Sequence, residues 1–260
     1  MVRTIAVASG KGGVGKTSIA VNCAVTLSKM GYRVALLDAD FGMANAHIML
    51  DQKVECSLQD LLENDVSLEN IICETVSGVK LIPGGSGVLE LLNLDSAKRW
   101  EIIKSIKPLE SQIDYLIVDA PAGGSDASIE FASACGNVVV VLVGEPTSFM
   151  DAYSFIKALH LEKDYSSVSV VVNLSNSDQE AAKSFESFKG IVTKFLDIEV
   201  NYAGWLPNSK ELKNSIISRK PVALNKSPSN RLLNKNFTNI TEMLINSKPL
   251  TVSGVEFFKV

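Results

Sequence analysis

Apolar residues in this chain fall into short continuous runs separated by amphipathic stretches, and the two kinds of segment alternate from one end to the other. Thr4–Ala8, Val34–Leu37, Val79–Ile82, Tyr115–Val118, Val138–Val143, Val168–Val172 and Val200–Leu206 are the runs, and they predict strands. Several are apolar on both faces, as a parallel sheet covered by helices requires. Between them, Lys16–Met30 places Ile19, Ala20, Cys23, Ala24 and Leu27 on one helical face, and Ser96–Lys107, Ala127–Cys135, Ser148–His160 and Asp178–Phe195 predict further helices. Gly31 and Gly136 stand where helix stops are expected. Ser227-Pro228 predicts the N-cap and first turn of a last helix. The alternation implies an α/β fold, a doubly wound, mostly parallel sheet with helices on both faces and ligands at the carboxyl ends of its strands. No linker composition interrupts it, so one domain over 1–247 is expected, followed by a tail over 248–260.

Composition narrows the picture only a little. Of 260 residues, 46% are hydrophobic and 21% charged, with a net charge of −4. That balance argues against a surface devoted to nucleic acid, and no direct nucleic-acid binding is expected. Cys23, Cys56, Cys73 and Cys135 form no C-x-x-C pair and read as reduced thiols of a cytoplasmic protein. The sequence opens on strand-like residues with no charged-then-apolar leader, and no apolar run approaches the ~20 residues of a membrane span. Any membrane contact is therefore expected to be peripheral.

Chemistry concentrates in Ser9–Thr17, SGKGGVGKT, between the first strand and the first helix. Gly10-x-x-x-x-Gly15-Lys16-Thr17 fits the phosphate-loop pattern in the context that gives the pattern meaning. Its glycines let backbone N–H groups turn toward phosphate oxygens, and the following helix aims its positive end at them. Lys16 is expected to neutralise β- and γ-phosphates and Thr17 to hold Mg²⁺ through its hydroxyl. Gly10, Lys11, Gly12, Gly13, Val14, Gly15, Lys16, Thr17 and Ser18 are the candidate nucleotide-binding residues. Asp38 and Asp40 end the second strand, and acids so close repel unless a metal or a water network uses them. Asp119 ends another strand in the same way and fits a metal-holding aspartate, with Ala120–Asp126 as a glycine-bearing switch. The Asn173 amide, just after a strand, has groups that can pair with the edge of adenine.

The string Gly10-Lys11-Gly12-Gly13-Val14-Gly15-Lys16-Thr17 resembles the deviant Walker A loop of the MinD/ParA family. The resemblance implies a MinD-like P-loop NTPase fold and an ATPase that dimerises face to face around two ATP molecules, using Mg²⁺ and returning ADP. It makes Lys11 a lysine that crosses to the partner's nucleotide, places Asp38 near the Mg²⁺ shell, and gives Asp40 the task of positioning or activating the attacking water. It also implies base contacts from Asn173 and from backbone at Pro207. Lys11, Lys16 and Asp40 are thus the candidate catalytic residues, and Thr17, Asp38 and Asp119 the candidate metal residues.

Asp38–Asn45 (DADFGMAN), Ile82–Gly87 (IPGGSG), Glu145-Pro146-Thr147-Ser148 with Asp151-Ala152-Tyr153 and Ile156-Lys157, and Lys194–Asp197 look like the FlhG/FleN branch. That branch sets flagellar number and placement, partly by restraining a flagellar transcription activator. An FlhF-type GTPase is a second partner it implies, although many members meet it through an N-terminal Asp-Gln-Ala helix, whereas here Met1 and Val2 lead into the first strand. The alternative is a division-site or DNA-partition ATPase. An iron–sulfur reductase on this scaffold needs paired cysteines near the second switch, which the sequence does not supply. A binding module without turnover is a fourth reading. The tail, ending Val255-Glu256-Phe257-Phe258-Lys259-Val260, supports two readings: contact with the inner membrane or cell pole, strengthened when a dimer presents two copies, or docking on its own domain.

Overall fold

The computed structural model describes residues 1–41, 44–64, 66–85, 95–250 and 255–258. Parts of the branch-specific segments, Gly42, Met43, Ser86 and Gly87, and of the tail, Gly254, Lys259 and Val260, lie outside the described residues. Strands β1 (Arg3–Ser9), β2 (Val34–Asp38), β3 (Cys73–Glu74), β4 (Val79–Ile82), β5 (Tyr115–Ala122), β6 (Asn137–Val143), β7 (Ser167–Ser175) and β8 (Glu199–Pro207) form one sheet in the order β3-β4-β2-β5-β1-β6-β7-β8. Every pairing is parallel except that of β3 with β4. All seven expected strands are present. β3 was not foreseen, because two residues carry no readable period.

Alternation within the strands divides the core into two layers. On β1, Ala6 and Ala8 face one side while Ile5 and Val7 face the other; on β2, Ala35 and Leu37 oppose Val34 and Leu36. The second layer is covered by α1 (Lys16–Lys29) and the C-terminal helix, through Ile19, Cys23, Leu27, Phe237 and Ile240. Ile102, Phe131, Phe155 and Phe188 cover the first layer, from α5 (Ser96–Ser105), α6 (Asp126–Ser133), α7 (Pro146–Lys163) and α8 (Asp178–Phe195). Each such side chain contributes about 1.5–3 kcal/mol when fully buried. Short helices α2 (Ala46–Met49), α3 (Leu58–Glu63) and α4 (Leu68–Ile71) precede β4, and α9 (Lys210–Ile217) follows β8. None spans enough turns to show helical period in the sequence.

Two expected boundaries are corrected. Ser227-Pro228 opens a single 3₁₀ turn, Pro228–Asn230, and α10 (Arg231–Asn246) starts only after it. Gly136 is not the helix stop: α6 ends at Ser133 with Ala134 as its C-cap. Gly136 instead admits close approach, since a Cβ there would lie 3.1 Å from Pro249 Cβ, and its carbonyl accepts from Leu250 N at 2.7 Å. Gly31 does end α1, with φ +94.

The chain reverses its direction of travel across the sheet at β1, which has β5 on one side and β6 on the other. In open parallel sheets this is where a crevice forms at the carboxyl edge. The loop Gly10–Gly15 leaves β1 at that point. Of the two readings of the tail, residues 255–258 follow the docked one: Phe257 is 3% exposed, its N–H donates to Ala134 O at 3.0 Å, and Val255 and Phe258 pack on the same core. Phe257 is thus buried in the domain and Phe258 half-buried against it.

Candidate functional site

The glycine loop is built between two rigid walls. Gly13 and Gly15 adopt φ +80 and +90, left-handed conformations that a residue with a side chain takes only at a cost. At Gly10 a Cβ would overlap the backbone of Asp151, so the loop lies directly on α7. Gly12 and Gly13 are exposed, leaving the middle of the loop open toward solvent at the N-terminus of α1.

Lys16 runs inward from the first turn of α1. Its Nζ stands 2.7 Å from Asp119 Oδ1 and 3.8 Å from Asp40 Oδ2, and the side chain is 6% exposed. Asp38 and Asp119 are register partners on β2 and β5, so both carboxyls reach the same level of the edge. Asp38 Oδ2 accepts from Ala46 N at 2.9 Å and Oδ1 from Asp40 N at 3.3 Å. Burial, and next the negative charge of Asp119, push the Asp38 carboxyl up to about 7, against the pull of the Ala46 N–H and of Lys16. Asp40 is also pushed up, by burial first and opposed by Lys16. One lysine thus serves a cluster of three carboxyls, Asp38, Asp40 and Asp119.

Asp119 Oδ2, the second oxygen of the carboxyl that meets Lys16, is buried without a partner, as is Ser18 Oγ on α1. Unpaired buried acceptors beside clustered acids are what a hard cation satisfies. The donors at hand, the Thr17 hydroxyl and the Asp38 and Asp119 carboxylates, are all oxygens and fit Mg²⁺. Among the described residues no three His, Cys, Asp or Glu side chains form a closed metal cage.

Asn173 lies within β7, two residues before its end and beside the loop, and is 2% exposed. Its Nδ2 donates to Val14 O at 2.7 Å, and a Cβ on Gly15 would collide with it, so the amide braces the loop. Its Oδ1 is buried and unpaired, an acceptor held in place for a donor. The next residue, Leu174, sits at φ +58, a strained conformation that accompanies the register shift between β7 and β8. Pro207 is the register partner of Ser175 at the end of β8, bringing it to the same edge next to β7.

The second switch is more ordered than its glycines suggest. β5 runs on through Ala122, pairing with Ser9, and Gly123 (φ +88) donates its N–H to Ser9 O at 2.9 Å. Ser128 Oγ, fully buried, donates to Pro121 O at 2.7 Å. The segment is therefore tied to the phosphate loop at one end and to α6 at the other. Sequence reading missed Ser128, whose only signal was its place one turn into α6. It also missed Ala46, which acts through its backbone alone.

Lys11 leaves the loop in the opposite direction from Lys16. Its Nζ is 3.3 Å from Glu145 Oε2 and 3.4 Å from Thr147 Oγ1, at the start of α7. The cysteines do not converge here: all four are free, with Cys23 pushed up to about 12 and Cys135 well above the ordinary thiol value by burial.

A strand–glycine loop–helix unit with an inward lysine, and acids on two neighbouring strands, define a P-loop NTPase. A family profile described as "ParA: NUBPL iron-transfer P-loop NTPase" matches residues 1–245, and the chain belongs to the ParA family. It is 33% identical to the antiactivator FleN of Pseudomonas aeruginosa over 221 residues, 85% of this chain and 79% of that one. It is also 33% identical to the flagellum site-determining protein YlxH of Helicobacter pylori, over 93% of this chain and 81% of that one. Among solved structures, MinD in the MinC:MinD cell division complex of Aquifex aeolicus superposes with a TM-score of 0.78 at 25% identity, covering 96% of this chain and 99% of that one. MinD of Pyrococcus horikoshii with Mg-ADP gives a TM-score of 0.78 at 23% identity, covering 95% and 97%, and supports the fold.

Proposed function

We propose that the protein is an ATP-hydrolysing switch that dimerises with ATP and regulates flagellar number or placement, by restraining a flagellar transcription activator. The carrying observation is the buried Lys16–Asp119–Asp40 cluster behind a glycine loop, in a chain one-third identical to the antiactivator FleN. Thr17, Asp38 and Asp119 would hold Mg²⁺, which when bound neutralises charge on the phosphate oxygens. Lys16 then exchanges Asp119 for phosphate oxygens. Asp40, half-buried beside it, orients the water that attacks the terminal phosphoryl group. The unpaired Asn173 Oδ1 accepts from the amino group of adenine while Nδ2 keeps the loop in place, and Pro207 borders the base. Lys11 crosses to the partner's nucleotide.

Loss of the terminal phosphate would reach the second switch, which Gly123 ties to Ser9 at the start of the loop, and pass through it to α6. Inner-membrane or polar attachment and an FlhF-type GTPase are further partners consistent with the branch. With Phe257 and Phe258 docked, membrane contact would need the tail released or another segment. A division-site role is the second reading, favoured by the similarity to MinD from the complex with MinC. Phosphate release measured with ATP, and mass by sedimentation with ADP and with ATP for Asp40→Ala, test the switch together. An Asp40→Ala protein that stays monomeric with ATP refutes it. An ATP-dependent gel shift with plain duplex DNA would instead favour a partition ATPase.

A further inference from the structure

We propose that Glu145 is a latch in cis on Lys11: in the nucleotide-free monomer it holds the lysine against its own α7, and dimerisation requires that this bond open. The proposal rests on the reading above in which Lys11 crosses to the partner's nucleotide.

The geometry gives the lysine a fixed base and a fixed destination. Ser9 Oγ donates to Lys11 O at 2.8 Å, and the adjoining Gly10 is seated on the α7 backbone, so the Lys11 Cα has little freedom. Its Nζ meets Glu145 Oε2 at 3.3 Å and Thr147 Oγ1 at 3.4 Å. Both partners belong to the Glu145-Pro146-Thr147-Ser148 stretch. Pro146 begins α7 and fixes where that stretch turns, so Glu145 is held at the helix start by backbone constraint. In the crossing reading the same ammonium leaves Glu145 of its own chain for a phosphate of the partner's nucleotide.

The strength of the contact suits a latch. Lys11 is 32% exposed and Glu145 64%, so solvent screens the pair and it holds the lysine only weakly. A phosphate group, with more negative charge than a carboxylate, can displace Glu145. Symmetry doubles the effect, since two latches open for each dimer formed.

The test compares wild type, Glu145→Gln and Lys11→Ala by sedimentation velocity, with Mg²⁺ and either ADP or the slowly hydrolysed analogue ATPγS. Melting curves check that each variant is folded. With ATPγS at low salt, Glu145→Gln should dimerise at a protein concentration roughly 2- to 30-fold below wild type, while remaining monomeric with ADP. Near 1 M salt, where the Debye length is about 3 Å, the two midpoints should converge. An unchanged midpoint overturns the latch, and so does a higher one, which would make Glu145 a contributor to the dimer. Lys11→Ala should remain monomeric with ATPγS. If it dimerises as well as wild type, the crossing-lysine reading fails whatever Glu145→Gln does.

Discussion

Lys16 Nζ and Asp119 Oδ1 form a 2.7 Å ion pair at the carboxyl edge of the sheet, with both side chains buried. The lysine proposed to neutralise phosphates is thus already engaged by an acid proposed to hold a metal. Removing it strands a buried charge. Lys16→Ala should lower the stability of the nucleotide-free protein by about 3 kcal/mol, the usual scale for breaking a buried pair, and Asp119→Asn in the same chain should restore part of it. Urea melts measure this, and added ATP with Mg²⁺ should raise the melting temperature of wild type but not of Lys16→Ala.

Asp38 gives the nucleotide-free protein a pH dependence of unusual sign. Its carboxyl is pushed up to about 7, chiefly by burial and next by Asp119, whereas in the unfolded chain it titrates near 3.8. Between those values the native state holds a proton that the unfolded chain has released. The Asp38 contribution to stability is therefore fully present below about pH 4 and is lost as pH rises toward 7. Asp38→Asn should flatten that fall. Denaturant midpoints from pH 5 to 8, taken without nucleotide, check the difference between the two proteins.

Much of this arrangement was legible because local signals and tertiary context agree. The phosphate loop, the strand-ending acids and the seven main strands each carry a period or spacing that the sheet enforces. Most of what escaped reading has no side-chain signature. Ala46 acts through a backbone N–H, Gly136 through the close passage of residues 249–250, and β3 is too short to alternate. Glu145 stood out in the sequence only as a mark of the FlhG/FleN branch. Its contact with Lys11 depends on a fold that brings together residues 134 positions apart.

The seat of the loop on α7 can be tested at Gly10. A methyl group there would overlap the backbone of Asp151, and neither strand nor helix can retreat without disturbing the core. Gly10→Ala should cost roughly 1–3 kcal/mol or more, the range for forced overpacking. It should also weaken ATP, because the loop must shift as a unit. Gly12→Ala, with open space around its Cβ, should leave stability nearly unchanged. Parallel thermal melts of the two variants separate close packing from a general intolerance of side chains in the loop.

Asn173 braces the loop and is proposed to read the base, two tasks that a single readout would confound. Nδ2 holds Val14 O at 2.7 Å, while Oδ1 is buried without a partner. Asn173→Ala removes both groups and should lower stability by about 1–3 kcal/mol, because Val14 O loses its donor inside the protein. It should also weaken ATP about tenfold, the equivalent of one lost hydrogen bond. Asn173→Asp retains an acceptor but not the donor, and it adds charge beside the loop. It should therefore weaken ATP, ADP and inorganic triphosphate alike. The base-reading task is isolated by comparing ATP with GTP: wild type should prefer ATP, since guanine presents an acceptor where adenine presents its amino group. Asn173→Ala should narrow that preference. Titration calorimetry with the two nucleotides decides it, and an unchanged ratio would leave Asn173 as a brace for the loop alone.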